Sequence, residues 1–371
     1  MDRPLLETLD TPSAVINLPI LENNLRRMAD LCRTHGIALR PHAKTHKTVE
    51  IGQRQLALGA VGITLAKLGE AEVMALHGFD DILIAYQLIG PHKMARLTQL
   101  LQRPRETPLR LTVAVDSLEG ATALSDAATR AGARLPVLIE IDTGLGRAGI
   151  ADPEGALSLA RHIQLFPGLR LAGVMTHEGQ VGRDGPANMK ERSAEAANRM
   201  MEIAGAIRSL GLECPIVSVG STPGARFMAG APGVTELRPG TYVFNDRTQI
   251  LVGAAQEEDC ALTVLSTVIS VQPGGRAVID AGSKTLTSDT VSRFGSYGEV
   301  IGDPEARLAT CSEEHGHLDI SQSTRRYRVG DRLHILPNHV CPVVNLMDRL
   351  YVYEGESITQ EWTVAARGRI Q

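Results

Sequence analysis

Four short segments carry side chains whose chemistry goes beyond packing. The first is Arg40-Pro-His-Ala-Lys-Thr-His-Lys47, which follows the apolar run at 37–41. Lys44 therefore falls at the C-terminal end of an expected strand. In a partly desolvated mouth a lysine holds its proton less tightly, and its amine can then attack an aldehyde. A solvated basic loop would look the same. The second segment is Asp142-Thr-Gly-Leu-Gly-Arg-Ala-Gly149, after the run at 137–141. Its glycines permit close backbone approach, and Arg147 supplies a fixed cationic fork. The plain alternative is a turn with an arginine at a helix start. The third is Val219-Gly-Ser-Thr-Pro-Gly224 with Arg238-Pro-Gly-Thr-Tyr242. Backbone N–H groups and hydroxyls in such turns make a cradle for phosphate, unless they are two ordinary turns. The fourth is Pro337-Asn-His-Val-Cys-Pro342. In an extended segment His339 and Cys341 face the same way. Imidazole plus thiolate suits zinc. Two donors are too few for a closed structural site and suit a catalytic ion with open positions. A loop histidine and a core cysteine would fit the spacing equally.

The elements that must position these residues follow a regular alternation. Strand-like apolar runs occur at 13–17, 37–41, 61–65, 82–85, 111–115, 137–141, 171–175 and 216–219, and end near 240–244. Helix-patterned stretches such as 21–35, 118–131 and 188–210 lie between them. The spacing predicts an α/β fold, a (β/α)8 TIM-type barrel over 11–250, and no GxGxxG follows the first strand to suggest a dinucleotide fold. Barrel active sites lie at the strands' C-terminal ends, and phosphate often binds near strands seven and eight. The first three segments fall at those places. Past 260 the texture changes to strand-like runs without helices: 262–271, 276–280, 332–336, 349–353 and 359–366. Residues 251–371, with roughly the first ten, read as a C-terminal β domain, an antiparallel barrel or a sandwich.

Composition narrows the function classes. The chain has 371 residues, 43% hydrophobic and 22% charged, as expected for a globular protein with one large and one smaller domain. A net charge of -4 and 3% aromatic residues argue against nucleic acid and acidic membranes as partners. No stretch is apolar enough for a membrane span or a signal peptide. The five cysteines, Cys32, Cys214, Cys260, Cys311 and Cys341, are scattered and odd in number, which points to a reducing cytoplasm.

Taken together, the motifs resemble the D-threonine aldolase and D-serine dehydratase group of the alanine-racemase-like (fold type III) pyridoxal-phosphate enzymes. The resemblance is carried by RPHAKTHK (40–47), DTGLGRAG (142–149), VIDAGSK (278–284), SEEHG (312–316) and LPNHVCPVVNL (336–346), in this order. It runs from Asp10-Thr-Pro-Ser-Ala to Ala366-Arg-Gly. It implies that Lys44 forms the Schiff base with the cofactor, with His42 close by and Arg147 at the ring's phenolic oxygen. Gly220, Ser221, Thr222, Gly240, Thr241 and Tyr242 would hold the phosphate. His339 and Cys341 would bind a divalent metal (zinc, manganese or magnesium). The implied assembly is a homodimer, and the implied substrates are small D-β-hydroxy amino acids.

Two reactions are then open. Removal of the hydroxyl proton cleaves Cα–Cβ, giving glycine and an aldehyde. Removal of the Cα proton expels the hydroxyl, giving an α-keto acid and ammonia. In this family aldolases carry His-x-Asp at the metal and dehydratases His-x-Cys, which Cys341 matches. The surrounding Pro342-Val-Val-Asn-Leu346 and SEEHG are aldolase-like. Aldolases also tend to have Tyr-His-Gly after strand six, where this chain has Thr176-His-Glu-Gly179, so His177 and Glu178 are both candidate bases. A D-threonine aldolase type of lyase is the expectation, with a D-serine or D-3-hydroxyaspartate dehydratase as its alternative. An amino-acid racemase and a non-catalytic cofactor-binding protein rank below these.

Overall fold

The computed structural model describes residues 6–104, 107–183 and 185–371. They fall into two compact units. One takes residues 27–44, 51–240 and 368–371, and the other residues up to 26, 45–50 and 241–367. This differs from a barrel over 11–250 with residues 251–371 and roughly the first ten in the other domain. Strand β1 (Ser13–Asn17) pairs in parallel with β16 (Arg349–Glu354) and antiparallel with β10 (Leu262–Gln272), so it is no part of the barrel. An apolar run encodes burial on both faces and leaves open which sheet buries it.

The first unit is the barrel. Its strands are β2 (Ala38–Leu39), β3 (Ile63–Leu65), β4 (Asp81–Ile84), β5 (Arg110–Val115), β6 (Leu135–Glu140), β7 (Leu169–Met175), β8 (Ile216–Val219) and β9 (Glu236–Leu237). All pair in parallel, in the order β2-β9-β8-β7-β6-β5-β4-β3. The ends of the row meet. Val61 N donates to Leu39 O at 2.9 Å, Thr64 N donates to Pro41 O at 2.8 Å, and His42 bridges Thr64. The eighth barrel strand is thus β9, a few residues before the run expected at 240–244. Pro239 has no N–H for a ladder, and Thr241–Val243 winds into a 3-10 turn instead.

The barrel is held by ordinary forces. Leu83, Ala114, Leu138, Ala172 and Met175, from four adjacent strands, pack as one buried cluster. Burying each large apolar side chain contributes about 1.5–3 kcal/mol. Gly173 has φ +150°, and a Cβ there would meet Ile216 O at 2.0 Å, so only glycine lets β7 lie this close to β8. The helices between strands show one buried face. In Leu118–Arg130 the buried positions are 120, 121, 124, 125, 127 and 128, and Ser117 Oγ caps the start by accepting from Gly120 N. Arg40 clamps the closure. Its guanidinium donates to Glu236 Oε2 at 2.7 Å and to Asp81 Oδ1, with all three side chains largely shielded.

The second unit carries a nine-stranded sheet. Besides β1, β10 and β16 it contains β11 (Arg276–Ile279), β12 (Gly298–Val300), β13 (Arg307–Cys311), β14 (Gly316–Asp319), β15 (Arg332–Pro337) and β17 (Ser357–Thr363). Antiparallel pairings run β10–β11–β14–β13–β12–β15 and back to β10, a closed six-stranded barrel. Strands β12, β13 and β14 are the ones the apolar pattern misses. They are short and polar on one side, with Glu299, Arg307, Thr310 and His317. Among the described residues no helix is long and apolar enough to cross a membrane.

Candidate active site

At the barrel's strand ends a cavity of about 620 Å³ opens. Lys44 lines it, set on the 3-10 turn Ala43–Thr45 just after β2. His42, Arg147, His177 and Gly220 line it too, so five residues expected from four separate segments meet at one place. Lys47, the other lysine of the same motif, is engaged elsewhere, its Nζ donating to Asn345 Oδ1 at 2.8 Å.

The loop bearing Arg147 is built around Asp142. Its carboxylate accepts from Gly144 N at 2.9 Å and from Gly146 N at 3.1 Å. Both glycines have positive φ, which folds their amides back onto the carboxylate. Although partial burial opposes it, these N–H groups hold the Asp142 carboxyl below its usual range.

His177 follows β7. Its Nδ1 lies 2.8 Å from Gly220 O, and since a carbonyl only accepts, Nδ1 carries the proton and Nε2 keeps its lone pair. Burial, then the charge of Lys44, pulls this imidazole down to about 3. It is neutral across the physiological range. Burial and then Lys44 likewise push His42 well below the ordinary histidine range. Glu178, the other candidate base, is completely buried and does not line the cavity. Its Oε2 accepts from Gly220 N at 2.9 Å, while Oε1 is buried without a hydrogen bond. Residues 177 and 178 thus grip Gly220 by its carbonyl and its amide, fixing the turn at 220–224. In that turn Ser221 Oγ accepts from Gly224 N at 3.1 Å. Gly220 itself must be glycine, since a Cβ would lie 2.7 Å from the Arg238 backbone. Ser221, Thr222 and Gly240 stand off the cavity wall, and Thr241 and Tyr242 belong to the other compact unit.

Several lining residues were not singled out by sequence. Arg238 follows β9 and is 3% exposed, donating to Ser218 Oγ and to Thr176 O at 2.5 Å. Glu140 ends β6, is 4% exposed and accepts from Gln87 Nε2, and burial pushes its carboxyl up. Tyr86, Gln87 and Lys93 complete this side of the wall. Apart from Arg238, which heads the 238–242 segment, each is a single residue at a strand end or loop, so no motif marks it. The Arg-Pro-Gly at 238–240 offered the one usable signal.

In the other unit, His339 is the extended cap of the helix Val340–Leu346, and Cys341 sits in that helix's first turn. The extended geometry expected for the pair is therefore absent. The sharp bend still keeps the two side chains in contact, since Cys341 is a hydrogen-bond partner of His339. His339 Nδ1 lies 2.6 Å from Asp289 Oδ2, which leaves Nε2 as its remaining donor atom. Burial opposes charge on this imidazole, yet Cys341, Asp246 and Asp289 push it up to about 10, so the spot favours positive charge. Among the described residues no group of three or more His, Cys, Asp or Glu side chains gathers to hold a metal ion. Cys341 Sγ also donates to Thr45 Oγ1 at 3.4 Å, the residue next to Lys44 in the chain.

Comparison with known proteins adds independent findings. Residues 16–248 match the alanine racemase N-terminal domain, and residues 261–353 match a putative serine dehydratase domain. The chain is 34% identical to a D-threonine aldolase of Arthrobacter sp., over 98% of this chain and 94% of that one. It is 37% identical to the D-threo-3-hydroxyaspartate dehydratase of Delftia sp. (strain HT23), over 96% and 97% of the two chains. The crystal structure of D-threonine aldolase from Filomicrobium marinum superposes with a TM-score of 0.93 at 33% identity, covering 100% of this chain and 99% of that one. A Cys-to-Ala variant of a D-threo-3-hydroxyaspartate dehydratase, solved in a metal-free form, superposes with a TM-score of 0.88 at 35% identity, over 97% and 99%.

Proposed function

Because this chain belongs to the alanine-racemase-fold family of D-threonine aldolases and D-serine dehydratases, we propose that it is a pyridoxal-phosphate- and metal-dependent lyase cleaving the Cα–Cβ bond of D-β-hydroxy amino acids. The observation that carries this reading is Lys44 in a cavity shared with Arg147, Arg238 and His177.

The cavity fits the cofactor. A primary amine stands where an aldehyde could meet it, and Arg147 and Arg238 line the same cavity as positive charges for anionic oxygens. When bound, pyridoxal phosphate supplies that aldehyde and a conjugated ring that draws electrons from a bond at the substrate's Cα. Lys44 is the nucleophile. Arg147 and Arg238, always charged, orient and neutralise anions. The turn at 220–224, gripped by His177 and Glu178, offers the hydroxyls of Ser221 and Thr222 to the phosphate, with Gly240, Thr241 and Tyr242 further along the chain.

His339 and Cys341 fit a divalent ion as an imidazole nitrogen and a sulfur, with Asp289 orienting the imidazole through Nδ1. Two protein donors leave open positions for substrate oxygen. The ion, when bound, supplies Lewis-acid polarisation of the β-hydroxyl. A D-threo-3-hydroxyaspartate dehydratase relative solved in a metal-free form supports a metal site in the family.

His177 is the base of this reading. Its neutral Nε2 is free of the Nδ1–Gly220 bond and can take the β-hydroxyl proton. Glu178 acts through Gly220 and is a positioning residue. The five free cysteines suit a reducing cytoplasm, and the reading includes a homodimer.

Incubation of the cofactor- and metal-loaded protein with D-threonine should give glycine and acetaldehyde. No product from D-threonine, D-serine or D-3-hydroxyaspartate would overturn the reading. One observation favours a second reading, a dehydratase. Cys341 completes the His-x-Cys pattern of that branch, and 2-oxobutanoate with ammonia from D-threonine would establish it.

A further inference from the structure

His339 and Cys341 stand at a sharp bend, and the group that holds this bend comes from another segment of the same compact unit. We propose that Asp246 is a positioning residue for the metal pair: its buried carboxylate fixes the backbone at 339–340 and makes the spot accept a cation. This deepens the metal part of the lyase reading and rests on it.

Asp246 is wholly buried, and its carboxylate serves two helix starts at once. Oδ1 accepts from Gln249 N at 2.9 Å, as the cap of the helix Arg247–Leu251. Oδ2 accepts at 3.0 Å from the N–H of Val340, the first residue of the helix Val340–Leu346. The residue placed to cap that second helix is His339, and its side chain makes no capping bond. Asp246 thus does from a distance what a serine or aspartate at 339 would do locally. The imidazole is left to meet Asp289 through Nδ1. The next two residues hold the other side of the bend. Arg247 Nη1 donates to Asn338 Oδ1 at 2.7 Å, and Thr248 donates to Asn338 O through N at 3.2 Å and Oγ1 at 2.8 Å. His339 therefore stands between two neighbours gripped by three consecutive residues, 246–248.

Holding the bend does not by itself make a place for a cation. A helix start carries partial positive charge on its unpaired N–H groups, which opposes a metal ion at the cap. Asp246 answers one of those N–H groups with a full negative charge. It lies near enough to His339 for charge to act between them. A buried carboxylate is itself costly unless donors or cations meet it. A divalent ion on His339 and Cys341 meets that need, so the ion and the carboxylate stabilise each other. Both Asp246 oxygens are engaged by amides, so it acts through the backbone and its charge, not as a ligand. The coordination itself stays open.

The test uses the cofactor-loaded protein and zinc, with affinity read by competition with a chelator. Asp246→Ser keeps a cap for the helix at 247, but it loses the charge and the reach to Val340 N. Asp246→Asn keeps the size and one acceptor and loses the charge. Each should weaken zinc binding about tenfold or more, the usual cost of removing a group that orients a metal ligand, with the cofactor's absorbance unchanged. A lower melting temperature with wild-type zinc affinity in both variants overturns the proposal, since Asp246 would then serve the fold alone. A second measurement needs no variant. In metal-free wild type the Val340 amide should already be protected from hydrogen exchange, because Asp246 holds it. A Val340 amide that exchanges freely until zinc is added overturns the proposal. Failure of the lyase reading's metal pair looks different: wild type and His339→Ala then bind zinc equally, which removes the pair and the role of Asp246 together.

Discussion

Lys44 sits among charges that its own barrel provides, whereas His339 and Cys341 sit where positive charge is favoured but, among the described residues, no third donor gathers with them. Arg147, Arg238, His177 and Gly220 surround the first site from four different strand ends, and His177, Arg238 and Gly220 are tied by hydrogen bonds or packing to a neighbouring strand end. The second site depends on one helix cap, one cysteine a half-turn later and Asp289. The difference teaches which parts are preorganised. The barrel holds its polar groups fixed before any ligand arrives, as electrostatic catalysis requires. In the proposed reading, the 339–341 segment would need an ion to complete it.

This contrast can be sharpened from both sides. The largest effect is expected at the barrel. His177→Gln should lower kcat by about 10²- to 10⁴-fold and leave the cofactor's absorbance intact, the cost of removing a positioned base. A normal rate in that variant would move the base elsewhere. At the other site, Asp289→Asn should weaken metal affinity by about 10- to 100-fold, measured by competition with a chelator, because the imidazole loses its orienting carboxylate. An unchanged affinity would show that Nδ1 needs no anchor. The smallest effect is on stability. An unfolded histidine takes a proton near 6.5, whereas folded His177 refuses it until about 3. Its contribution is therefore fully present above about 6.5 and is lost as pH falls through that window. Denaturant unfolding of the wild type should weaken with acid over this range more steeply than that of His177→Gln. Equal slopes would place the charge penalty on other groups.

The sequence revealed the barrel more readily than the rest, for a physical reason. Strands β4 to β8 are buried on both faces, so they read as unbroken apolar runs such as 137–141 and 216–219. The same signal misassigned 13–17, since burial does not name the partner sheet. β12 to β14 were invisible because short strands with one polar face carry little periodicity. At the site, Lys44, Arg147 and the turn at 220 were legible as motifs after strands. Arg238, Glu140, Tyr86 and Lys93 were not, because their meaning lies in which distant strand ends close the circle. Glu178 was legible as a residue, but what its carboxylate touches was not. Its neighbour turns into the cavity while its own carboxylate turns into the protein and holds Gly220 N.

The central claim is that Lys44 carries the cofactor. Borohydride reduction of the pyridoxal-phosphate-loaded protein, followed by mass spectrometry of its peptides, tests this directly. The account predicts one pyridoxyl adduct, on Lys44. An adduct on Lys47 or on any other lysine, or none at all, would contradict it.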